Sequence, residues 1–468
     1  MSAAQSVWLP DLVYAGGRFT RGLALVCDAG GRVVRLSDDP DDLHLAHRLS
    51  GRAILPGLVN AHSHSFQRAI RGRTEHRTSA DRDTFWTWRE AMYHAATKLS
   101  PEDIYHVARV AFAEMLLSGI TTVGEFHYLH HAPDGTPYDD RNLLAKQVVR
   151  AADETGIRIA LQRTAYVRAG FAKPPHLPQA RFITPQAADF IDDTNALQQW
   201  VSNYAPGRVW VSVAPHSVRA VPLDYLLEVT RYAREHKLKV HMHVSEQPAE
   251  IEACEAEYGT RPVSLLYKHG ILNADFTGVH GLHIIEGEIG FLSESDAKVC
   301  ACPTTERNLG DGIGPTERLA SRGVGICYGT DSNVQIGLLE DARELEYHQR
   351  LKLLQRAVLA PDSGTESLAA WLFHSATVTG AESVGAAAGS LQPGQFADFF
   401  ALDLNDPSIA GSGEESLLNN IVFSAERTAI REVFVGGRRV VEGGRHFLQD
   451  EAVARFNEVQ RELWVARA

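Results

Sequence analysis

Short apolar or β-branched runs alternate with longer amphipathic stretches through the central part of the chain. Runs of roughly four to eight apolar residues are typical of buried strands, and apolar positions repeated every three to four residues are typical of helices. Ile104–Leu117 and Leu223–His236 show the helical pattern. This alternation predicts βα units and a parallel sheet. The predicted strands are Leu58–His64, Ile120–His127, Arg158–Tyr166, Val209–His216, Lys239–Val244, Phe276–His280, Lys298–Cys302 and Gly325–Thr330. Eight such units predict an α/β fold, a (β/α)8 TIM barrel with insertions.

The two ends of the chain have a different sequence pattern from the centre. Short strands separated by glycine pairs fill about the first 50 residues, and about the last 75 residues repeat this pattern, for example around Gly30–Gly31 and Gly436–Gly437. Inside the barrel region, Ala169–Pro185 carries four prolines and is predicted to be a long loop. Two interpretations of this loop stay open: a lid over the barrel mouth, or an ordinary surface excursion.

Composition narrows the class of protein. The 468 residues are 44% hydrophobic and 22% charged, with a formal net charge of −12. An acidic balance argues against nucleic acid or an anionic membrane as a partner. No apolar run approaches the ~20 residues that span a bilayer, and the first residues lack the features of a signal peptide. Five cysteines, an odd and small number, fit a reducing compartment. We therefore expect a cytoplasmic globular protein.

Two His-x-His motifs end predicted strands. His62 and His64 close the first strand, and His241 and His243 occupy the fifth. Residues i and i+2 of a strand face the same side, so each pair could face one cation at the C-terminal end of the barrel, where active sites of this fold lie. Taken alone, each motif could equally be buried histidines that are hydrogen-bonded in a core.

Further candidates follow the same strand ends. Glu246 lies in the turn after the fifth strand, His280 ends the sixth and Asp331 closes the eighth. Because all of these positions lie at one end of successive strands, together they predict a metal centre. The predicted ligands are His62, His64, His243 and Asp331. Three imidazoles and one carboxylate favour zinc over magnesium or calcium, although iron or manganese would accept the same donors. Cys300 and Cys302 are interpreted as small buried apolar residues.

The segments PGLVNAHSH, HVSE, VHG, CPTTERNLGDG and YGTDSN, in this order, resemble the amidohydrolase superfamily, in particular its cytosine/guanine-deaminase-like branch. The resemblance covers essentially the whole chain. It implies one zinc per chain on the four ligands, with Glu246 as catalytic acid–base group and His280 beside the attacking water. This chain has Ala214-Pro215-His216 where binuclear members carry a lysine, which favours a single metal.

The terminal segment GSLQPGQFADFFALD is similar to that family's return into a small β-sandwich made from both chain ends. The resemblance therefore implies three parts of the chain. Residues 1–54 would form the N-terminal part of the sandwich, 55–389 the metal-dependent barrel, and 390–468 the C-terminal return. It also implies a homodimer.

A narrower set of segments is similar to the formimidoylglutamate deiminases: NAHSHSFQRAIRG, TFWTWREAMY, GEFHYLHH, APHSVRAV and CPTTERNLGDGI. By this resemblance, the substrate-binding residues would be Gln67, Arg89, Tyr128, His216 and Arg219. The partner would be a small dicarboxylate, which guanidinium groups bind through paired hydrogen bonds. Without the resemblance, either arginine could equally form a surface ion pair.

The implied reaction is zinc-dependent hydrolysis of N-formimino-L-glutamate to N-formyl-L-glutamate and ammonia, a step of histidine degradation. Glu246 would carry a proton to the departing nitrogen, and Asp331 is a candidate to take the first proton from water while it remains a ligand. The sequence leaves open how the proton transfers divide between Glu246 and Asp331. Another aminohydrolase of the same branch, such as a guanine or adenosyl-type deaminase, is the alternative. A non-catalytic barrel is disfavoured because every ligand is present.

Overall fold

The computed structural model describes residues 6–78, 83–174, 176–205, 207–361 and 367–464. Its strands fall into three groups along the chain. The N-terminal strands are β1 (Ser6–Ala15), β2 (Arg18–Thr20), β3 (Ala24–Cys27), β4 (Val33–Ser37) and β5 (His47–Pro56). The central strands are β6 (Leu58–Ser63), β7 (Ile120–His127), β8 (Arg158–Ala165), β9 (Val209–Pro215), β10 (Val240–Val244), β11 (Phe276–His280), β12 (Lys298–Ala301) and β13 (Ile326–Tyr328). The C-terminal strands are β14 (Phe399–Asp403), β15 (Ile430–Val435), β16 (Arg438–Glu442) and β17 (Arg445–His446).

The central strands form a parallel barrel in chain order, from β6 to β13. The barrel closes between its first strand, β6, and its last, β13, and we call this junction the seam. Ser63 and Asp331 form a parallel bridge at the seam. The His64 N–H donates to the Asp331 carbonyl at 2.8 Å, and the Asp331 N–H donates to the His62 carbonyl at 3.0 Å. The predicted (β/α)8 barrel is confirmed, and each predicted strand lies within about two residues of an observed one.

Helix α1 (Pro40–Leu45) lies between β4 and β5 of the N-terminal strands. The helices that follow along the chain are α2 (Phe85–Ala96), α3 (Pro101–Leu117), α4 (Leu143–Thr155), α5 (Ala187–Tyr204), α6 (Leu223–Glu235), α7 (Pro248–Tyr258), α8 (Pro262–Lys268), α9 (Glu286–Glu294), α10 (Pro303–Leu309), α11 (Thr316–Ser321), α12 (Leu338–Leu353), α13 (Leu368–His374), α14 (Gly380–Val384), α15 (Leu417–Phe423) and α16 (Gln449–Trp464). Ser65–Ile70, Leu177–Phe182 and Arg427–Ala429 are 3-10 turns, and Ser375–Thr379 is a π-helical turn.

Helix α3 shows how the sequence sets a helix start. Its Ser100 hydroxyl accepts the Asp103 N–H at 3.1 Å, and the Asp103 carboxylate accepts the Ser100 N–H at 2.9 Å. This reciprocal cap satisfies N–H groups that no helical carbonyl can reach, and Pro101 fits the first turn because it has no N–H to satisfy. Among the described residues, no helix has the length and apolar character needed to cross a membrane.

The chain termini build a second sheet of nine strands. Its order is β17-β16-β15-β14-β5-β1-β3-β4, with β2 paired to β1. Strand β14 pairs antiparallel with β5, so the two chain ends share one sheet, as predicted. Phe399 and Phe434 stack at 4.3 Å in its core. Strand β5 runs to Pro56, and at Gly57 the backbone passes so close to the barrel that a Cβ would lie 2.1 Å from Thr121 Oγ1. The division at residues 54 and 389 remains a prediction.

The second half of the proline-rich segment Ala169–Pro185 contains a 3-10 turn that packs against the barrel. Pro175, in the middle of the segment, lies outside the described residues. The 3-10 turn Leu177–Phe182 carries a fully buried Arg181. That guanidinium donates to the carbonyls of His131 at 2.8 Å and Leu99 at 2.7 Å. A buried charge held by carbonyl oxygens anchors this half of the segment to the barrel wall.

Candidate active site

Four buried side chains meet at the C-terminal end of the barrel. His62 and His64 come from the end of β6, His243 from β10, and Asp331 from the turn after β13. Their ligand atoms all lie within 4.8 Å of one another. The Nε2 atoms of His62 and His64 are 3.1 Å apart, and those of His64 and His243 are 3.4 Å apart. Asp331 Oδ1 lies 3.2 Å from Nε2 of both His62 and His64. The structure brings together the four residues that the sequence pattern singled out.

The hydrogen bonds behind the imidazoles orient them toward this centre. His64 Nδ1 lies 2.9 Å from the Phe126 carbonyl, and His243 Nδ1 lies 3.1 Å from the His216 carbonyl. A carbonyl only accepts, so each Nδ1 carries the proton and each Nε2 lone pair faces the cluster. Burial also lowers the pKa of His62 to about 3, which keeps that ring neutral. Neutral imidazoles and a carboxylate aimed at one point fit a divalent metal ion.

His280 lies beside the cluster and is flanked by two carboxylates. Its Nε2 is 3.7 Å from Glu246 Oε1, and its Nδ1 donates to Glu306 Oε1 at 3.1 Å. Burial opposes a charge on this ring, but Glu246, Glu306 and Asp331 raise its pKa to about 10. Burial raises the pKa of the Glu246 carboxyl. His280 and Asp331 also adopt left-handed φ values of 73° and 45°, a strained backbone that collects at functional sites.

The five predicted substrate-binding residues line the same cavity as the cluster. They are Gln67 in the 3-10 turn after β6, Arg89 in α2, Tyr128 after β7, and His216 and Arg219 after β9. Gln67 Nε2 donates to the Tyr128 hydroxyl at 2.8 Å. The sequence predicted only that these side chains lie near strand ends. In the structure, all five line one cavity.

Both arginines pack on aromatic rings. The Arg89 guanidinium lies 4.5 Å from the Trp86 ring centre and 5.3 Å from that of Tyr93, and the Arg219 guanidinium lies 5.8 Å from the Trp86 ring centre. In the part of the chain that the structure describes, neither arginine forms an ion pair with a carboxylate. The described residues thus do not show the surface ion pairs of the alternative interpretation, and the role of the two arginines in substrate binding stays a prediction. Two guanidinium groups thus line the cavity without a direct ion pair, and the nearby carboxylates of Glu246 and Glu250 raise the pKa of Arg219.

Comparison with known proteins agrees with this geometry. The family model described as "Amidohydrolase family" matches residues 53–440. The chain belongs to the amidohydrolase family. This amidohydrolase is 37% identical over 419 residues to the formimidoylglutamate deiminase of Pseudomonas aeruginosa, covering 89% of this chain and 91% of the relative. It is 28% identical to the 5-methylthioadenosine/S-adenosylhomocysteine deaminase of Syntrophomonas wolfei, covering 88% of this chain and 87% of that relative.

A solved structure supports the same assignment. The crystal structure of an amidohydrolase from Brucella melitensis superposes with a TM-score of 0.89 at 33% identity, covering 98% of this chain and 99% of that one. At 20% identity, an adenosine deaminase from Xanthomonas campestris with bound zinc superposes with a TM-score of 0.82 over 99% of both chains and shares the fold. This amidohydrolase is therefore a hydrolase that acts on C–N bonds.

Sequence reasoning missed the role of Glu306 in this amidohydrolase. Its carboxylate accepts the Cys302 N–H at 2.9 Å as well as the His280 Nδ1–H. Glu306 lies in the first turn of α10, directly after barrel strand β12. An acidic residue just past a strand end was the signal used for Glu246, and the same signal would have found Glu306.

Other histidines and cysteines of the amidohydrolase lie outside the four-residue cluster. His241, on the same strand as His243, hydrogen-bonds to the Ser383 carbonyl at 2.9 Å. Cys300 and Cys302 are fully buried in an apolar cluster, as the sequence interpretation held, and burial raises the pKa of both thiols. The Cys302 sulfur does lie within 4.8 Å of ligand atoms of His280 and Asp331.

Proposed function

We propose that this amidohydrolase deiminates N-formimino-L-glutamate, releasing N-formyl-L-glutamate and ammonia in histidine degradation. One observation carries the proposal: Arg89 and Arg219 face the cavity of the histidine–aspartate cluster without a carboxylate partner among the described residues. Guanidinium groups bind carboxylates through paired hydrogen bonds, and this substrate has two carboxylates. The relative in Pseudomonas aeruginosa bears the name of this activity.

The proposed metal is one zinc ion per chain, and its proposed ligands are His62, His64, His243 and Asp331. The converging donor atoms and the nitrogen-rich set support zinc, and a structural relative from Xanthomonas campestris has zinc bound. Iron or manganese would accept the same donors. When bound, such an ion lowers the pKa of a water molecule from ~15.7 towards ~7, which makes a hydroxide nucleophile available at neutral pH.

Three residues of the chain are proposed to handle protons and charge. Asp331 takes the first proton from the attacking water, since its Oδ1 belongs to the cluster and lies 3.2 Å from Nε2 of both His62 and His64. Glu246 transfers a proton to the departing nitrogen, because burial raises the pKa of its carboxyl and so makes it a better acceptor of a proton that it can then pass on. His280 stabilises negative charge that develops on the attacking oxygen. Glu306 holds the His280 ring in place through Nδ1.

The proposed substrate contacts divide into charged and neutral ones. Arg89 and Arg219 bind the two carboxylates, and Gln67, Tyr128 and His216 add neutral hydrogen bonds. The Tyr128 hydroxyl accepts a hydrogen bond from Gln67 and donates a weak one to Met92 Sδ at 3.8 Å, which a stronger acceptor on the substrate would replace. Together, these contacts hold the formimino carbon near the cluster while the carboxylates lie against the two guanidinium groups.

An adenosyl-type or guanine deaminase is the second candidate. The relative in Syntrophomonas wolfei and the aromatic lining of the cavity, including Phe85, Trp88 and Tyr93, favour it. A neutral heterocycle, however, would leave two partly buried guanidinium groups of the cavity without a direct carboxylate partner. The two guanidinium groups therefore favour the dicarboxylate.

A substrate panel tests the proposal. Ammonia release is measured with formiminoglutamate, guanine and 5'-methylthioadenosine, with and without a chelator. We expect the highest kcat/KM for formiminoglutamate and loss of that activity with the chelator. Faster release from either purine compound would refute the proposed substrate, and full activity after verified metal removal would refute the metal.

A further inference from the structure

Gln179 bridges two tyrosines of the cavity wall from behind. Its Nε2 donates to the Tyr93 hydroxyl oxygen at 2.7 Å and to the Tyr166 hydroxyl oxygen at 2.6 Å. Gln179 is 1% exposed, whereas both tyrosines line the cavity that holds the cluster. One buried amide thus controls two hydroxyl groups that come from different parts of the chain, helix α2 and the turn after β8.

The direction of these hydrogen bonds follows from the amide. In the observed orientation both N–H groups of Gln179 have acceptors, and only Oε1 lacks a partner among the described residues. The reverse orientation would leave two buried N–H donors without acceptors in place of one oxygen. Since each unsatisfied buried group costs free energy, the observed orientation is the better satisfied one.

Each tyrosine oxygen therefore accepts a hydrogen bond and still carries its own proton. Neither hydroxyl donates to any residue that the structure describes. Burial raises the pKa of Tyr93, so its proton is retained at neutral pH. The guanidinium group of Arg89 lies 5.3 Å from the Tyr93 ring centre, on the same cavity. Two O–H donors and two guanidinium groups thus share one wall, which is a surface suited to an anion.

We propose that Gln179 is a positioning residue that commits the hydroxyls of Tyr93 and Tyr166 to donate to a substrate carboxylate. The inference rests on the proposed function and adds two specificity-determining residues to it. A tyrosine hydroxyl can either donate or accept. By occupying one acceptor position on each oxygen, Gln179 favours an anionic group over a hydrogen-bond donor at this wall.

The support behind Gln179 makes the wall rigid before substrate arrives. Gln179 belongs to the 3-10 turn Leu177–Phe182, which Arg181 anchors through the carbonyls of His131 and Leu99. The Phe182 ring packs edge-on against Tyr166 at 5.6 Å. Donors that are held in place lose little freedom on binding, so their hydrogen bonds contribute more to affinity.

The test compares Gln179→Met, Tyr93→Phe, Tyr166→Phe and the double variant Gln179→Met/Tyr166→Phe, with Gln199→Met on the exposed side of α5 as the matched control. Each is assayed for ammonia release from formiminoglutamate and from its 1-amide and 5-amide, which each lack one carboxylate.

We expect Tyr166→Phe and Gln179→Met each to raise KM roughly tenfold with a much smaller change in kcat. The double variant should lose less than the two single losses combined, because Gln179 acts in part through the Tyr166 hydroxyl. The rise in KM should shrink for the amide that lacks the bound carboxylate.

The outcomes separate this inference from the proposed function. If the wild-type enzyme turns over formiminoglutamate but both tyrosine variants keep its KM, the inference is overturned and the proposed function stands. The inference is equally overturned if the loss in Gln179→Met is the same for all three substrates and adds fully to that of Tyr166→Phe, since that is a packing defect. If the wild-type enzyme neither binds formylglutamate in calorimetry nor releases ammonia from formiminoglutamate, both fail. The tyrosine variants decide the question even if Gln179→Met does not fold.

Discussion

Arg219 offers the most direct test of how this amidohydrolase selects a substrate. Arg219→Met removes the guanidinium and keeps most of the side-chain length. No ion pair within 4 Å is lost among the described residues, but Glu246 and Glu250 lose a nearby positive charge, so thermal stability is measured alongside activity. In the proposed complex, a charge-assisted contact worth ~1.5–3 kcal/mol disappears. That corresponds to a fall in kcat/KM of roughly ten- to a hundredfold, and the substrate carboxylate left unpaired could deepen the loss.

The assay measures kcat and KM for formiminoglutamate at equal metal content, with Arg322→Met as the control. Arg322 is an exposed arginine paired with Glu286, so its loss should leave both constants unchanged. A shorter substrate, formimino-aspartate, should bind but react slowly, because its second carboxylate would draw the carbon away from the nucleophile. The reasoning is refuted if Arg219→Met retains wild-type kcat/KM for formiminoglutamate while the metal content is unchanged.

Four further predictions follow from the site and the core. Glu246→Gln should lower kcat ~10²–10⁴-fold with the metal retained, and near-normal turnover would contradict its role in proton transfer. Elemental analysis should find about one metal ion per chain, and a second tightly bound ion needed for activity would refute the single-metal site. Glu306→Gln should narrow the pH range over which kcat stays high, with little loss of thermal stability, because the carboxylate helps to set the charge on His280. An unchanged pH profile of kcat would contradict this. Burial lowers the pKa of His127 to about 3 in the folded protein, against ~6.5 in the unfolded chain, so between these values its contribution to the free energy of unfolding falls by about 1.4 kcal/mol for each unit that the pH drops. Urea unfolding of His127→Gln should therefore show a shallower loss of stability with acid than the wild type, and identical slopes would refute the assignment.

The barrel could be predicted because its strands are buried on both sides. Strands of this type form short apolar runs that periodicity detects, and β7 and β11 match their predicted bounds. The ligand cluster could be predicted because parallel strands bring their C-terminal ends to one face, so that a residue at each strand end is enough to locate a site. The homodimer and the cytoplasmic location remain predictions.

The residues behind the cavity wall could not be predicted in the same way. Gln179 lies in a proline-rich stretch, and the partners of its amide are about 86 and 13 residues away along the chain. Such contacts depend on how α2, β8 and a 3-10 turn pack together, which leaves no periodic pattern in the sequence. The aromatic stacking of Arg89 and its lack of an ion pair are likewise properties of packing.

The seam of the barrel has a consequence for how the site is assembled. Asn60 Nδ2 donates to Thr330 Oγ1 at 2.7 Å across 270 positions of sequence, next to the residues that converge at the cluster. During synthesis, the first two histidines emerge long before the aspartate that completes the set. The complete ligand set therefore cannot form until Asp331 has left the ribosome, so the barrel and the centre can close only after the last barrel strand, β13, has emerged. Because the ligands join the first and last strands, a bound ion would also resist opening of the barrel at this seam, so that loss of the ion and unravelling from the seam should be coupled events.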